Sequence, residues 1–515
     1  MVARTRSSFE MKNYAHTHTY IYIYIYIFVY TTLFSLLETK PTEEKFKQQN
    51  RLRTSIYILL YFLQLFSFLQ KHLCQTHIFL KMDEQSGETA AILFNDLIPL
   101  PFRILLLIQF LLLLWLLLNI ILYNFSSLNV LHLINLSYSQ HNYTQLDHLA
   151  PTTFGEFATT IPADLLENTR LIKGIWLNLK RISLVNFISW FAFKAVKWYN
   201  KDLTLLYYSI PVVLFAYVFH RLFYANVNTA GQVRVYTTMK RVLQGGINSL
   251  SMRTNDILIS DSLVSVSKVL NDFGLFIWNY YVSESIAYNY QLEFLILCIP
   301  TFIRIKQCWF EYSSTGKTQH MLNLIKYSTA FGPLLINALI KHTLLRSSDE
   351  DRQSGALIQQ LTKLNDWWYF LSALNSTYSF IWDIMMDWHL QLFNKLFNPR
   401  ERFTILRPHK AFPDYIYLIA MSIDFLLRYI WVLKLFIINE ELRLSSQIKF
   451  LHVFSTFLFG YDAYSFGYVI IEVLEIFRRW VWCFVKLESD WIKVRYEEPR
   501  EFELSEMNEM SKGLT

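Results

Sequence analysis

The sequence predicts an all-α fold: a polytopic integral membrane protein of about eight to ten transmembrane helices. Three observations predict it. The 515 residues are 53% hydrophobic but only 17% charged, whereas soluble domains run near 45–50% apolar and about 25% charged. The hydrophobic residues gather in long runs, several near the length of roughly 20 residues that a bilayer core demands of a helix. Gly and Pro number only 13 and 12, too few for a long disordered chain. The four cysteines form no CxxC pair and have no His at ligand spacing, so neither a disulfide framework nor a zinc site is expected. The net charge of +7 is misplaced as a sign of nucleic-acid binding. Residues 1–81 carry +6 of it, and the remaining chain only +1.

The amino-terminal leader contains HTHTYIYIYIYIFVY, His16 to Tyr30. Strand geometry sends alternate side chains to opposite faces, and with Tyr and Ile both apolar it yields a sticky strand rather than an amphipathic one. A marginal membrane helix is a second reading. The genetic code offers a third, because repeats of A and C encode alternating Thr and His, and repeats of T and A encode alternating Tyr and Ile. We therefore expect residues 1–81 to be a non-functional low-complexity extension, with the working chain starting at Met82. The second apolar run of the leader, Ser55–Leu69, is too short to span with ease.

From Met82 a short polar start leads to the clearest span, Arg103–Tyr123. Sequons follow at Asn124, Asn135 and Asn142; with Met82 in the cytosol this loop is lumenal and the sequons are usable. Ser183–Tyr199 is apolar but carries Lys194 and Lys197, so it is expected along the interface. Spans are then expected at Leu203–Phe223, Ile257–Tyr281, Leu292–Ile305, Tyr327–Leu345, Trp367–Met386 and Tyr415–Ile438. Phe450–Val485 reads as one span or as two helices turning near Gly460 or Gly467. The organisation expected is an extension over 1–81, an N-terminal transmembrane part with a lumenal loop over 82–255, a core over 256–495, and an acidic cytosolic tail over 496–515.

The functional signal lies in charges set inside apolar runs, where each costs at least about 2.5–3.5 kcal/mol and so faces a cavity or a partner. YSFIWDIMMDWHL sets Asp383 and Asp387 four apart on one helix face. IDFLLRYIWVLK sets Asp424 and Arg428 four apart, with Trp431 beyond. EVLEIFRRWVW sets Glu475 three and four residues before Arg478 and Arg479. Singly, each stretch also reads as a self-neutralising helix pair or a cytosolic helix end. Together they suggest one polar centre. Arg, with five donors in a fixed fork, suits a phosphate anion. Asp256 and Asp261 among hydroxyls, and Lys326 with Tyr327, are further candidates.

RIKQCWFEYSSTGKTQHMLNLIKYST, YSFIWDIMMDWHL, IDFLLRYIW and EIFRRWVWCFVKLESDW, in that order, resemble the EXS domain. That family includes a retrovirus receptor that exports phosphate and plant phosphate exporters. The resemblance covers about residues 256–495 well, about 97–255 loosely and 1–81 not at all. It implies an EXS-type helical bundle with a phosphate path through Asp261, Lys326, Tyr327, Asp383, Asp387, Arg428, Arg478 and Arg479. Trp431 is then a gate, with Glu475 and Asp424 beside it. Where the exporters carry an Asn, this chain has Val264, leaving Ser262 or Ser265 to supply a hydroxyl. There is no room for the SPX domain of the larger exporters. The chain is thus similar to a short fungal subgroup in the Golgi membrane, linked to glycosylation and to retention of lumenal ER proteins. Inorganic phosphate and the lipid bilayer are the partners implied, with no cofactor and no metal. A homodimer, and contact with Golgi glycosyltransferases or their sorting adaptor, stay open. The competing readings are an adaptor that sorts Golgi enzymes through its acidic tail, and an enzyme with Asp383 and Asp387 as a metal pair; no enzyme is the expectation.

Overall fold

The computed structural model describes residues 94–126, 161–199, 204–224, 230–247, 253–282, 288–347, 355–393, 404–435, 449–459 and 465–496. The leader 1–81, the sequons at Asn135 and Asn142, and the tail beyond 496 lie outside them. Thirteen α-helices form the described elements, and no strand occurs among the described residues. In chain order they are α1 (Leu100–Ser126), α2 (Ile161–Tyr199), α3 (Thr204–Phe223), α4 (Ala230–Leu243), α5 (Arg253–Ser265), α6 (Ser267–Ile277), α7 (Tyr290–Thr315), α8 (Thr318–Thr329), α9 (Phe331–Arg346), α10 (Gly355–Trp382), α11 (Asp414–Arg428), α12 (Lys449–Phe459) and α13 (Phe466–Tyr496). The all-helical membrane expectation holds. Among the described residues three segments are long and apolar enough to cross a bilayer by that measure alone: Leu100–Leu122, Leu206–Phe223 and Asp414–Lys434. The other expected spans are interrupted, or dilute their apolar runs with charge.

The interruptions have local causes. The span expected at Ile257–Tyr281 breaks at Val266 (φ −97°, ψ 14°) into α5 and α6, and ends in a π-helical turn over Trp278–Val282. The one at Tyr327–Leu345 breaks at Ala330 into α8 and α9. Pro333 lies one turn past that break and has no N–H with which to continue the ladder. α10 ends in a π-helical turn, Asp383–Asp387, and Trp388 N–H donates to the Asp383 carbonyl at 2.8 Å. Such wide turns concentrate at functional sites. α11 passes into a 3₁₀ turn, Ile430–Lys434.

Ser183–Tyr199, expected along the interface, is not a separate element. It is the carboxyl half of the 39-residue α2, which at about 1.5 Å per residue is far longer than a bilayer core. Phe193 is fully buried against Phe102, and Lys197 reaches Asp96 at 2.9 Å. Asn186 and Phe193 face the bundle, while Leu184, Phe187, Ile188 and Phe191 are exposed.

α1 and α13 run in the same direction. Leu100, Ile104 and Leu107 pack with Ile476, Trp480 Nε1 donates to the Leu114 carbonyl at 2.8 Å, and Leu118 and Leu122 join Val485 and Leu487. α5 and α6 oppose them, with Leu258 at the Leu122 end and Leu275 at the Leu100 end. The start of α1 and the close of α13 therefore lie at opposite ends of the bundle.

The expected turn before α13 is present, with α12 ending at Phe459 and α13 opening at Phe466. Gly467 is what lets the two helices meet. A Cβ there would stand 2.0 Å from the Phe457 carbonyl oxygen and 2.9 Å from Leu458 Cα, both backbone atoms that cannot swing aside. Gly467→Ala should therefore cost about 1–3 kcal/mol by overpacking. A lowered thermal midpoint of the detergent-solubilised protein is expected; an unchanged midpoint would show that α12 and α13 pack otherwise.

Candidate functional site

The sequence-selected charges sort into two linked groups. The first is built around Asp261, which is 2% exposed. Arg304 pairs with it at 2.7 Å, and the Tyr327 hydroxyl donates to it at 2.5 Å. Arg479 approaches its other oxygen at 3.9 Å. Arg304 is itself fixed, donating to Ser260 Oγ at 3.0 Å and to Gln307 Oε1 at 2.7 Å. Arg479 Nε donates to Ser265 Oγ at 2.9 Å, and its guanidinium lies over the Trp482 ring. Of the two serines near Val264, Ser262 turns back onto the Leu258 carbonyl and Ser265 accepts from Arg479.

Lys326 belongs to this group yet lacks an ion pair. It is 7% exposed, and no carboxylate among the described residues lies within 4.0 Å of its ammonium. Its Nζ sits over the rings of Tyr327 and Trp382, 4.3 and 5.2 Å from their centroids. The carboxylates acting on it from farther off are Asp387, Asp261 and Asp383.

The second group is a chain of ion pairs. Asp383, at the opening of the π turn, pairs with Arg428. Arg428 also meets Asp424 at 2.9 Å, Asp424 meets Arg478 at 3.2 Å, and Arg478 meets Glu475 at 2.5 Å. Three carboxylates thus hold two guanidiniums, leaving one negative charge in excess. Trp431 lies beyond, donating to Ser376 Oγ at 3.0 Å and packed against Trp368 and Tyr369. Lys434 rests on the Trp368 ring, 4.3 Å from its centroid.

A cavity of about 460 Å³ leads to the first group. Asp261, Lys326, Tyr327 and Asp387 line it, together with Arg304 and Lys486. Its outer wall includes Arg253, Lys317 and Lys493 at the α13 carboxyl end of the bundle. Arg428, Arg478, Arg479, Asp383, Asp424, Glu475 and Trp431 do not line it; they stand behind it. Asp387 and Asp383 therefore part company despite sharing a helix face. Asp387 accepts from Trp482 Nε1 at 3.3 Å and faces Lys486 at 3.8 Å, whereas Asp383 turns to Arg428. They do not converge on a shared metal position, and among the described residues no cluster of His, Cys, Asp and Glu could hold a metal ion.

Sequence reasoning missed Arg304 and Lys486. Both are cations in apolar surroundings, the same signal that selected Arg428. Arg304 has no carboxylate at helical spacing to draw notice, whereas Lys486 does pair with Asp490 four residues on, at 3.0 Å, a local signal that was overlooked. The partner of Arg304 lies 43 positions away, at Asp261.

The fold and site define a helical membrane protein with a polar cavity lined by basic and acidic groups. The family description "EXS family" matches residues 98–492, and the chain belongs to that family. It is 30% identical over 272 residues to Protein ERD1 homolog 1 of Schizosaccharomyces pombe, covering 50% of this chain and 63% of the relative. It is 26% identical over 291 residues to Protein ERD1 of Saccharomyces cerevisiae, covering 56% and 68%. Solute carrier family 53 member 1 of Mus musculus is 30% identical over 207 residues, or 39% of this chain and 25% of that one. The chain thus spans about two thirds of its fungal relatives and a quarter of the mouse protein.

Asp424 is the joint of the second group and tests it. Asp424→Asn leaves two buried guanidiniums each short of a carboxylate, a change that costs about 3–5 kcal/mol when a buried pair is broken. A lower thermal midpoint is expected, falling further when Arg428→Met is added, because the buried Asp383 then loses its partner. Equal stability of Asp424→Asn and the parent would show that the chain of pairs does not hold the bundle together.

Proposed function

We propose that the protein conducts inorganic phosphate across a Golgi membrane, returning to the cytosol the phosphate that glycosylation releases in the lumen. The observation that carries this reading is Lys326, a buried residue lining the cavity with no carboxylate among the described residues within 4.0 Å of its ammonium. A desolvated cation without a partner is costly, and an anion supplies the partner. Arg304 stands beside it, already aimed by Ser260, Gln307 and Asp261, and a preorganised donor loses little freedom on binding. Arg479 lies just behind, held by Ser265 and more loosely by Asp261. Asp261 and Asp387 keep the site from holding phosphate too tightly to release. Arg428 and Arg478 are engaged by carboxylates, so an anion passing them must displace Asp383 or Glu475. That exchange, with Trp431 beyond it, would form the gate.

Orientation follows from charge. The end at which the cavity opens carries Arg241, Arg253, Lys306, Lys317, Lys410 and Lys493 on or beside its helix termini. The opposite end carries fewer, chiefly Lys194, Lys197, Lys341, Arg346 and Lys363, with Asp96 paired to Lys197 and Glu293 to Lys341. Cytosolic ends are the Lys- and Arg-rich ones, so the cavity opens to the cytosol. Both helix ends flanking residues 127–160 then face the cytosol too, opposite to the placement expected from a cytosolic Met82. Asn135 and Asn142 should accordingly carry no glycan in cells; a mass shift on enzymatic deglycosylation would reverse the orientation.

Flux of radiolabelled phosphate into proteoliposomes tests the site. Lys326→Ala and Arg479→Ala each remove a charge-assisted bond worth roughly 1.5–3 kcal/mol, or about ten- to a hundredfold in affinity. Both should lose flux accordingly while eluting as folded protein. Arg428→Ala is the poorer probe, since it also strands Asp383 and Asp424. Unchanged flux in both variants would overturn the assigned site. The adaptor reading is separated by removing residues beyond Tyr496, where α13 ends. Lost enzyme retention with flux intact would favour it. Cutting earlier, after Trp491, would remove the buried Ile492 and the cavity-lining Lys493.

A further inference from the structure

A third buried charge group lies at the other end of the bundle, apart from the two groups around Asp261 and Asp424. It comprises Arg103 on α1, Lys268 and Asp272 on α6, and Glu472 on α13. Asp272 takes Arg103 as its ion-pair partner, and both are nearly fully buried. Glu472 is 1% exposed, and neither of its carboxylate oxygens has a hydrogen-bond partner among the described residues. The charges that act on it are Asp272, Arg103 and Lys268. Lys268 offers no contact, since its ammonium sits over the Tyr468 ring, 5.7 Å from the centroid, and no carboxylate among the described residues lies within 4.0 Å of it. Tyr468 on α13, Tyr288 and Glu293 before and on α7, and Lys434 after α11 complete the ionisable surroundings. An ionised carboxylate in this setting would be desolvated, unbonded and beside a second carboxylate.

We propose that Glu472 is a proton-binding site whose occupancy sets the pH dependence of anion passage. The step is a plain exchange: the carboxylate oxygen takes a proton from water at the end of the bundle away from the cavity, or returns it there. Protonated, Glu472 leaves Arg103, Asp272 and Lys268 with one net positive charge, which draws an anion in. Ionised, it cancels that charge and competes for Lys268. Glu472, Glu475 and Arg479 recur at helical spacing on one face of α13, so the charge state of Glu472 is felt by the Glu475–Arg478 pair. With the cavity open to the cytosol, this end faces the lumen, and acidification there would favour phosphate leaving it.

The inference rests on the phosphate-transport reading for its consequence, though not for the proton itself. Two measurements keep the failures apart. Infrared difference spectra of the full chain, taken between alkaline and neutral pH, above the range in which exposed carboxylates titrate, should show a protonated-carboxyl stretch that disappears in Glu472→Gln. Its absence from the parent protein, or its survival in Glu472→Gln, would overturn the proton site whether or not phosphate moves. Radiolabelled phosphate flux in proteoliposomes should rise severalfold on acidification of the outer face of this end. Glu472→Gln, which mimics the neutral form, should hold the fast rate at every pH, and Glu472→Asp should keep the dependence with a shifted midpoint. A parent-like pH profile in Glu472→Gln would overturn the coupling. Flux absent from parent and variants alike, with the infrared band present, would sink the transport reading and leave the proton site standing.

Discussion

Asp424 is the constraint on which the interior depends. It is 1% exposed on α11 and binds two guanidiniums, its own helix's Arg428 and Arg478 of α13. Through Arg428 it reaches Asp383, and through Arg478 it reaches Glu475. Three helices are thereby held by charges that could not stay ionised in an apolar bundle one at a time. The pairing also explains why the span-like helices are irregular. α10 must open into a π turn to present Asp383 to Arg428 while sending Asp387 to the cavity. α11 must stop at Arg428 so that Trp431 can cross toward Ser376.

The two groups differ in what they leave over. In the chain through Asp424, three carboxylates face two guanidiniums, and the excess is negative. Around Asp261, with Arg304 and Lys326 at the cavity and Arg479 behind it, the excess is positive. Surplus positive charge at the end of a 460 Å³ cavity attracts a small anion, and surplus negative charge behind it resists the anion's further travel. That sequence of attraction and resistance suits a gated conductor better than a storage site, because each step is bounded by an opposite charge. Binding that only tightened along the path would trap the ion.

Much of this was legible in the sequence, and the reason is local. Asp424 with Arg428, and Glu475 with Arg478, stand at helical spacing, so charge patterning alone exposed them. Lys326 and Tyr327 stood out as polar residues opening an apolar run. Arg304 was hidden because its partner lies on another helix, and only tertiary packing brings Asp261 to it. Asp383 and Asp387 misled for the opposite reason. Their spacing was read correctly as one face, but neighbours from α11 and α13 draw the two carboxylates apart. Ser183–Tyr199 was set apart because its lysines interrupt an apolar run; that it continues a 39-residue helix and docks Phe193 on Phe102 of α1 is something no local pattern reports.

Similar physics bears on Val264, the position at which this chain departs from the exporters it resembles. An amide there would give both a donor and an acceptor to the Asp261 group. In this chain Ser265, one residue on, takes only the Nε hydrogen of Arg479. Arg479 is consequently held by one hydroxyl, one aromatic face and a carboxylate at 3.9 Å. That is a looser cradle than the ones around Arg428 and Arg478. A guanidinium with slack can turn toward an arriving anion and back to Asp261 without breaking a tight ion pair. The departure therefore falls at the one arginine whose task, if phosphate is the cargo, requires it to move.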